Sequence, residues 1–175
     1  MKLTFVGTAS CFPTPSRGVS CTSLLLPDGQ VFLFDCGEAT QINLQKSSVK
    51  MGKIRRIFIT HLHGDHVFGL PGLLCTLGNG LDPAKAEAKQ VDVYGPHGLY
   101  KYITTCLELS RSQLAYKLNI HEVCPEKDQY PPDWPDWPVD HESVGPRSIL
   151  ARGYEKIYRQ TNQEVRNAKY AFYVL

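Results

Sequence analysis

The chain has 175 residues, 42% of them hydrophobic, and a net charge of +2 at neutral pH. This length suits a single domain with a packed core and is too short for two ordinary domains. No apolar run is long enough to cross a bilayer, and the small net charge does not by itself indicate a nucleic-acid-binding protein. Met1 is followed by a strand pattern broken by Gly7, with no secretory leader, so we expect a cytosolic or nuclear protein that needs no membrane.

The first third of the chain predicts a meander of strands. Residues 2–6 and 22–26 have strand-like patterns, and the Pro-Asp-Gly sequence at residues 27–29 predicts a turn. Val31–Phe34 is a short apolar run, which is typical of a buried strand. Asp35 directly follows this run, so we expect it at the end of the strand.

The next part of the chain alternates between strands and helices. We expect strands at residues 54–60, 91–94 and 116–123, and helices at residues 38–46, 67–77 and 99–109. The polar residues of interest, Asp35 and His61, follow predicted strands. This alternation predicts a layered α/β domain over residues 1–124.

Two further regions follow this domain. Residues 125–146 predict a loop rich in proline and tryptophan, and residues 147–175 a basic segment with a divergent or truncated tail. From residue 147 to residue 169 there are six basic and two acidic residues, a balance of +4 (6 − 2). An ordinary solvated surface explains this balance better than an RNA-binding patch does.

The segment His61-Leu62-His63-Gly64-Asp65-His66 places three imidazoles and one carboxylate within six positions. His61 and His63 can face one side and share a metal ion, and a turn at Gly64 can aim Asp65 and His66 at a second ion. Histidine and aspartate are natural zinc ligands. Packing alone does not explain the cluster, because these residue types favour neither strand nor helix interiors. The six cysteines form no Cys-x-x-Cys pair, so we expect reduced thiols that do not bind the metal.

This motif resembles the His-x-His-x-Asp-His signature of the metallo-β-lactamase superfamily. The segments at residues 34–41 and 69–74 resemble short-form ribonuclease Z, the ELAC-type zinc phosphodiesterases, and residues 5–8 and 94–99 agree with them. The resemblance covers about residues 1–123. It implies the N-terminal half of a metallo-β-lactamase-like αββα sandwich.

The resemblance also implies roles for individual residues. His61 and His63 would hold one Zn²⁺ ion and Asp65 and His66 a second, with Asp65 as the proton acceptor. Asp35 would hydrogen-bond a ligand histidine and fix its tautomer. The implied reaction is endonucleolytic removal of the 3′ trailer from precursor tRNA.

The sequence departs from the family pattern in three places, one of which is that the family's flexible arm, which grips the tRNA elbow, is not recognisable in it. The family loop Pro-x-Lys-x-Arg-Asn is reduced to a proline and Arg17, which either contacts a phosphate or is an ordinary surface arginine. The family's remaining ligands belong to its C-terminal half. The other histidines, His97, His121 and His141, do not lie in matching motifs.

Three interpretations therefore stay open. In the first, the chain is a zinc-dependent tRNA 3′-processing enzyme that is inactive or impaired in this form. Four ligands shared by two ions give each ion only two, which is fewer than a tetrahedral site needs. Alternatively, it is a non-catalytic form that acts through homodimerisation or partner binding. The third interpretation is another hydrolase of the same superfamily, since function depends on the site more than on the fold.

Overall fold

The computed structural model describes residues 1–79 and 82–123, together with the backbone of two short strands further along the chain. The central element is one eight-stranded sheet whose strand order follows the chain order. The strands are β1 (Lys2–Gly7), β2 (Cys21–Leu25), β3 (Val31–Phe34), β4 (Ile54–Phe58), β5 (Gln90–Pro96), β6 (Lys117–Val123), β7 (Arg147–Leu150) and β8 (Gly153–Glu155). The predicted loop at residues 125–146 and the tail beyond residue 155 lie outside the described residues.

The sheet is mixed. Strands β1, β2 and β3 form an antiparallel meander, β3 to β6 are parallel, and β6 to β8 are again antiparallel. The parallel pairs need crossover connections, which helices supply. These helices are α1 (Thr40–Lys46), a 3₁₀ turn at Met51–Lys53, α2 (Gly64–Val67), α3 (Leu70–Thr76), α4 (Pro83–Glu87) and α5 (Leu99–Leu109). The predicted layered α/β architecture is confirmed.

One face of the sheet packs against the helices and forms the hydrophobic core. Alternate strand residues point to this face because successive side chains on a strand point in opposite directions. The strand side chains of this core include Leu33, Ile57, Val93 and Ile120, and the helix side chains include Leu44, Leu73 and Ile103. Each of them is at most 1% exposed, which contributes roughly 1.5–3 kcal/mol per side chain relative to solvent exposure.

The opposite face of the sheet carries a row of stacked rings. Phe34, Phe58, Tyr94 and His121 lie side by side on β3, β4, β5 and β6. Their successive centroids are 5.2, 5.1 and 4.3 Å apart, and the ring planes differ by 15° or less. Cross-strand aromatic pairs of this kind stabilise the register of neighbouring strands.

The long helix predicted at residues 67–77 is wrong in its bounds, because two helices occupy this stretch. The first, α2, already begins at Gly64 inside the histidine motif, and the second, α3, begins at Leu70. The break occurs at Gly69, whose amide N–H donates to the carbonyl of Cys36 beyond β3. None of the described helices is both long and apolar enough to cross a membrane.

Candidate metal centre

The candidate site lies beyond the carboxyl ends of β3 and β4. Asp35 immediately follows β3, and Thr60 and His61 follow β4. These two strands are parallel neighbours, so the residues that follow them meet at one edge of the sheet. The sheet topology thus brings Asp35 to the histidine motif.

Asp35 is the most heavily hydrogen-bonded side chain of the site. Its Oδ1 accepts from the amide N–H of Thr60 and from the Thr60 hydroxyl, both at 2.9 Å. Its Oδ2 accepts from the Ser20 hydroxyl at 3.1 Å and pairs with His66 Nδ1 at 2.7 Å. Asp35 is 6% exposed and adopts a left-handed backbone conformation, with φ of 59°. The partners compensate for burying the carboxylate.

This network assigns the ring nitrogens of two histidines. Because the Asp35 carboxylate only accepts, His66 donates from Nδ1, so in the neutral ring Nε2 carries the lone pair. The single hydroxyl proton of Thr60 is donated to Asp35, so the Thr60 oxygen accepts from His61 Nδ1, 3.0 Å away. His61 therefore also presents Nε2 as its unprotonated nitrogen. Both rings are in the form that can bind a metal ion.

Asp65 is held by a residue from the other side of the site. The backbone N–H of Cys11 donates to Asp65 Oδ2 at 2.9 Å, and the same oxygen lies 3.5 Å from His66 Nε2. The Cys11 hydrogen bond keeps the pKa of Asp65 below its usual value, and the nearby His66 adds to this effect. Asp65 is therefore an anionic carboxylate that lies beside Nε2 of His66.

The three histidine rings of the motif form a compact group. The centroids of His61 and His66 are 4.0 Å apart, and those of His61 and His63 are 4.7 Å apart. Partial burial lowers the pKa of His61, and the neighbouring His66 and His63 lower it further. Across residues 1–79 and 82–123, however, no three histidine, cysteine, aspartate or glutamate side chains converge so as to hold one ion.

Backbone contacts fix the motif against the end of β3. The amide N–H of Cys36 donates to the His66 carbonyl at 2.8 Å. A Cβ on Gly37 would overlap the Asp65 carbonyl, and a Cβ on Gly69 would overlap the Gly37 carbonyl. Only glycine permits such close approach of two backbones. The position of the motif is thus set by the main chain as well as by side chains.

Arg17 lies on the loop that also carries Cys11. Its backbone N–H and carbonyl pair with Thr14 in a tight turn, and its side chain is exposed. Arg17 also lines a polar cleft of about 340 Å³, together with Gly7, Asn43 and Ser47. The structure therefore places Arg17 on a loop that contacts the site through Cys11.

Sequence reasoning missed three residues of the site: Ser20, Thr60 and Cys11. Thr60 could have been found, because it directly precedes the motif at the end of a predicted strand. Cys11 acts through its backbone N–H, so its side chain gave no signal.

Two of the remaining histidines lie beside acidic residues that do not belong to the motif. His97 Nδ1 lies 3.6 Å from a Glu122 carboxylate oxygen, and His121 Nε2 lies 3.2 Å from Asp92. His141 is outside the described residues.

Comparisons with known proteins give a matching family model and several similar relatives. The family model described as "Anti-Pycsar protein Apyc1" matches residues 1–103, which is more than half of the chain. Human zinc phosphodiesterase ELAC protein 1 is 48% identical over 132 residues, covering 75% of this chain and 36% of that protein. Ribonuclease Z of Cyanothece sp. is 48% identical over 126 residues, covering 71% of this chain and 38% of that protein.

The solved structures include a close match in fold. The crystal structure of human tRNase Z, short form (ELAC1), superposes with a TM-score of 0.67 at 46% identity, covering 75% of this chain and 49% of that one. The chain thus spans less than half the length of these relatives. It belongs to the family that the Apyc1 model describes and, by its match to ELAC protein 1 and ribonuclease Z, to the ribonuclease Z group of the metallo-β-lactamase superfamily.

Proposed function

We propose that this chain is the ligand-bearing N-terminal part of a zinc-dependent endoribonuclease that removes 3′ trailers from precursor tRNA in the cytosol or nucleus. The observation that carries the proposal is the Asp35 network, which leaves Nε2 free on both His61 and His66. The names of the relatives, zinc phosphodiesterase and ribonuclease Z, supply the reaction class.

The donor set fits zinc. We propose that His61 and His63 hold one Zn²⁺ ion and that Asp65 and His66 hold a second. Imidazole nitrogens and a carboxylate are typical zinc ligands. Many zinc-binding histidines also donate their second ring nitrogen to a carboxylate, as His66 does to Asp35. Zinc bound here would supply Lewis acidity toward the phosphodiester and lower the pKa of water.

The protein residues have separate tasks in this proposal. Asp65, kept anionic and held by the Cys11 amide, accepts the proton of the attacking water. Asp35 holds His66 and, through Thr60, His61 in fixed orientations. Arg17 neutralises a phosphate of the RNA backbone. Arg17 would thus hold the RNA, the oriented imidazoles would hold the metal, and Asp65 would take the proton.

Two ligands per ion are fewer than a tetrahedral zinc site requires, even with water added. We propose that the missing ligands come from outside the described residues, either from the same polypeptide or from a second copy in a homodimer. A non-catalytic chain that acts through dimerisation or partner binding is the alternative. One observation favours that alternative: no three-ligand group forms among the residues that the structure describes.

The deciding experiment measures zinc content and cleavage of a 3′-extended precursor tRNA by the 175-residue chain. His63→Ala removes a proposed ligand, and His97→Ala is a matched control at a histidine that pairs with Glu122 instead. Close to two zinc ions per chain, with cleavage lost only in His63→Ala, would support the enzyme. Less than one ion per chain, with no cleavage above the His63→Ala level, would establish the non-catalytic alternative.

A further inference from the structure

Three exposed apolar side chains lie within the histidine motif or beside it. Phe12 is 68% exposed, Phe68 is 62% exposed and Leu62 is 36% exposed. Single exposed apolar residues are ordinary on a protein surface, but a group of them beside a candidate active site indicates a binding surface. The two phenylalanines are the larger and more exposed members of this group.

Both phenylalanines are fixed next to the same turn. Phe12 follows Cys11, whose amide N–H donates to the Asp65 carboxylate. The ring of Phe68 lies against Gly64, where it occupies the space that a Cβ would take. Gly64 and Asp65 are consecutive, so the two rings flank the turn that carries the proposed ligands.

The backbone around each ring limits its movement. Cys11 has a left-handed φ of 66°, and the Phe12 amide N–H donates to the Ser10 carbonyl at 2.8 Å. The Phe68 amide N–H donates to the Gly64 carbonyl at 2.9 Å at the end of α2. These bonds fix the main chain at both phenylalanines, and both side chains stay exposed.

We propose that Phe12 and Phe68 form a stacking surface for the unpaired nucleotides of an RNA substrate whose phosphodiester reaches the histidine motif. This inference rests on the proposed function, which supplies the RNA. Every nucleobase offers a flat aromatic face, so exposed aromatic rings bind single-stranded RNA without demanding a sequence. A base inside a duplex is already stacked on its neighbouring bases, so it gains little from a contact with the phenylalanine rings.

The stacking surface makes the site selective for RNA shape. An RNA with an unpaired 3′ extension places free bases beside the rings, whereas a blunt duplex does not. Arg17, on the loop that carries Phe12, is available for the adjacent backbone phosphate. The chain should therefore distinguish a 3′ overhang from a blunt end at equal RNA length.

The test measures equilibrium binding of two fluorescent RNA hairpins, one with a four-nucleotide 3′ overhang and one blunt. EDTA is present so that nothing is cleaved. The variants are Phe12→Ala, Phe68→Ala, Phe12→Leu and Phe12→Tyr, with Leu109→Ala as a control, because Leu109 is 82% exposed on α5 away from the motif. We expect each phenylalanine-to-alanine change to weaken overhang binding about tenfold and to leave blunt binding unchanged. Phe12→Tyr should retain affinity, and Phe12→Leu should lose it despite its apolar side chain.

The outcomes separate this inference from the proposed function. Overhang binding that is unchanged in both alanine variants, or is restored by leucine, would overturn the stacking surface while leaving the nuclease intact. Overhang-selective binding with no cleavage in zinc would support the surface and count against the enzyme. Failure of the unaltered chain to bind the overhang hairpin more tightly than the blunt one would overturn the stacking surface, whereas the nuclease is decided by cleavage of precursor tRNA in zinc.

Discussion

Asp35 Oδ2 and His66 Nδ1 lie 2.7 Å apart, although 31 positions separate the two residues along the chain. The same carboxylate reaches His61 through the Thr60 hydroxyl. One buried aspartate at the end of β3 therefore orients two imidazoles that follow β4. Asp35 is not itself a proposed ligand. Because it contacts both imidazoles, directly or through Thr60, we expect its substitution to disturb the site strongly.

Replacing Asp35 with asparagine should lower zinc affinity about 10- to 100-fold, because outer hydrogen bonds of this type orient and strengthen ligand histidines. Asparagine tolerates the left-handed backbone at this position, so the fold should be retained. Competition with a chromogenic chelator measures the affinity. Asp28→Asn, at an exposed aspartate in the β2–β3 turn, serves as the control. Equal affinities for the two variants would show that Asp35 does not act on the metal.

The glycines behind the motif should be sensitive to a single methyl group. Gly37→Ala and Gly69→Ala would each place a Cβ on a backbone carbonyl, so one backbone segment would have to move. We expect each change to lower the free energy of unfolding by more than about 2 kcal/mol, measured by urea denaturation. Gly52→Ala, where the added Cβ meets nothing within 4 Å, should change it by less than about 0.5 kcal/mol. Similar losses at all three positions would contradict the close backbone packing.

Lys89 should make stability depend on pH in the alkaline range. Lys89 is 4% exposed, its ammonium group donates to the Leu77 carbonyl at 2.8 Å, and burial lowers its pKa from 10.5 to about 8. Between these two values the unfolded chain holds more protons than the folded chain, so this group makes stability rise with pH. From about pH 7.5 to about pH 9.5 its contribution should rise by about 2 kcal/mol.

The titration of Lys89 is isolated by comparison with Lys89→Met, which has no titrating group at this position. Urea denaturation of both proteins across the same pH range gives the difference, and other groups, such as the buried thiols, cancel in it. A difference that stays constant with pH would show that Lys89 keeps an ordinary pKa in the folded protein.

The cysteines should differ sharply in reactivity. Cys21 and Cys36 are fully buried, and burial raises the pKa of Cys21 to about 12 and that of Cys36 as well. Cys11 is exposed. Because the thiolate is the reactive form, iodoacetamide at neutral pH should modify Cys11 while Cys21 and Cys36 stay protected. Peptide mass spectrometry, with the protein in urea as the reference, measures the rates, and rapid native labelling of Cys36 would contradict the buried site.

Local patterns predicted most of the fold. Val31–Phe34 and the helix at residues 99–109 have the observed bounds, because an apolar run and a helical period are properties of adjacent residues. The break between α2 and α3 could not be predicted, since it depends on a hydrogen bond from Gly69 to Cys36 on a different element. Helix α4 has too little apolar periodicity to be recognised from sequence.

The candidate site was predictable where its side chains lie in one short segment. The spacing of His61, His63, Asp65 and His66 identified the motif, and family resemblance pointed to Asp35. The contact from Cys11 to Asp65 joins residues 54 positions apart through a backbone amide, which any non-proline residue can supply. Such a contact becomes visible only when the loop before β2 has folded over the motif.

The strand order of the sheet has a consequence for synthesis on the ribosome. Every strand pairs with the one that precedes it in the chain, from β1 to β8. A strand that leaves the exit tunnel therefore meets an edge that has already been made, and no strand has to wait for a later one to pair with. The sheet can grow in the direction of translation, and the histidine-rich turn after β4 can close on Asp35 and Cys36 before β5 has emerged.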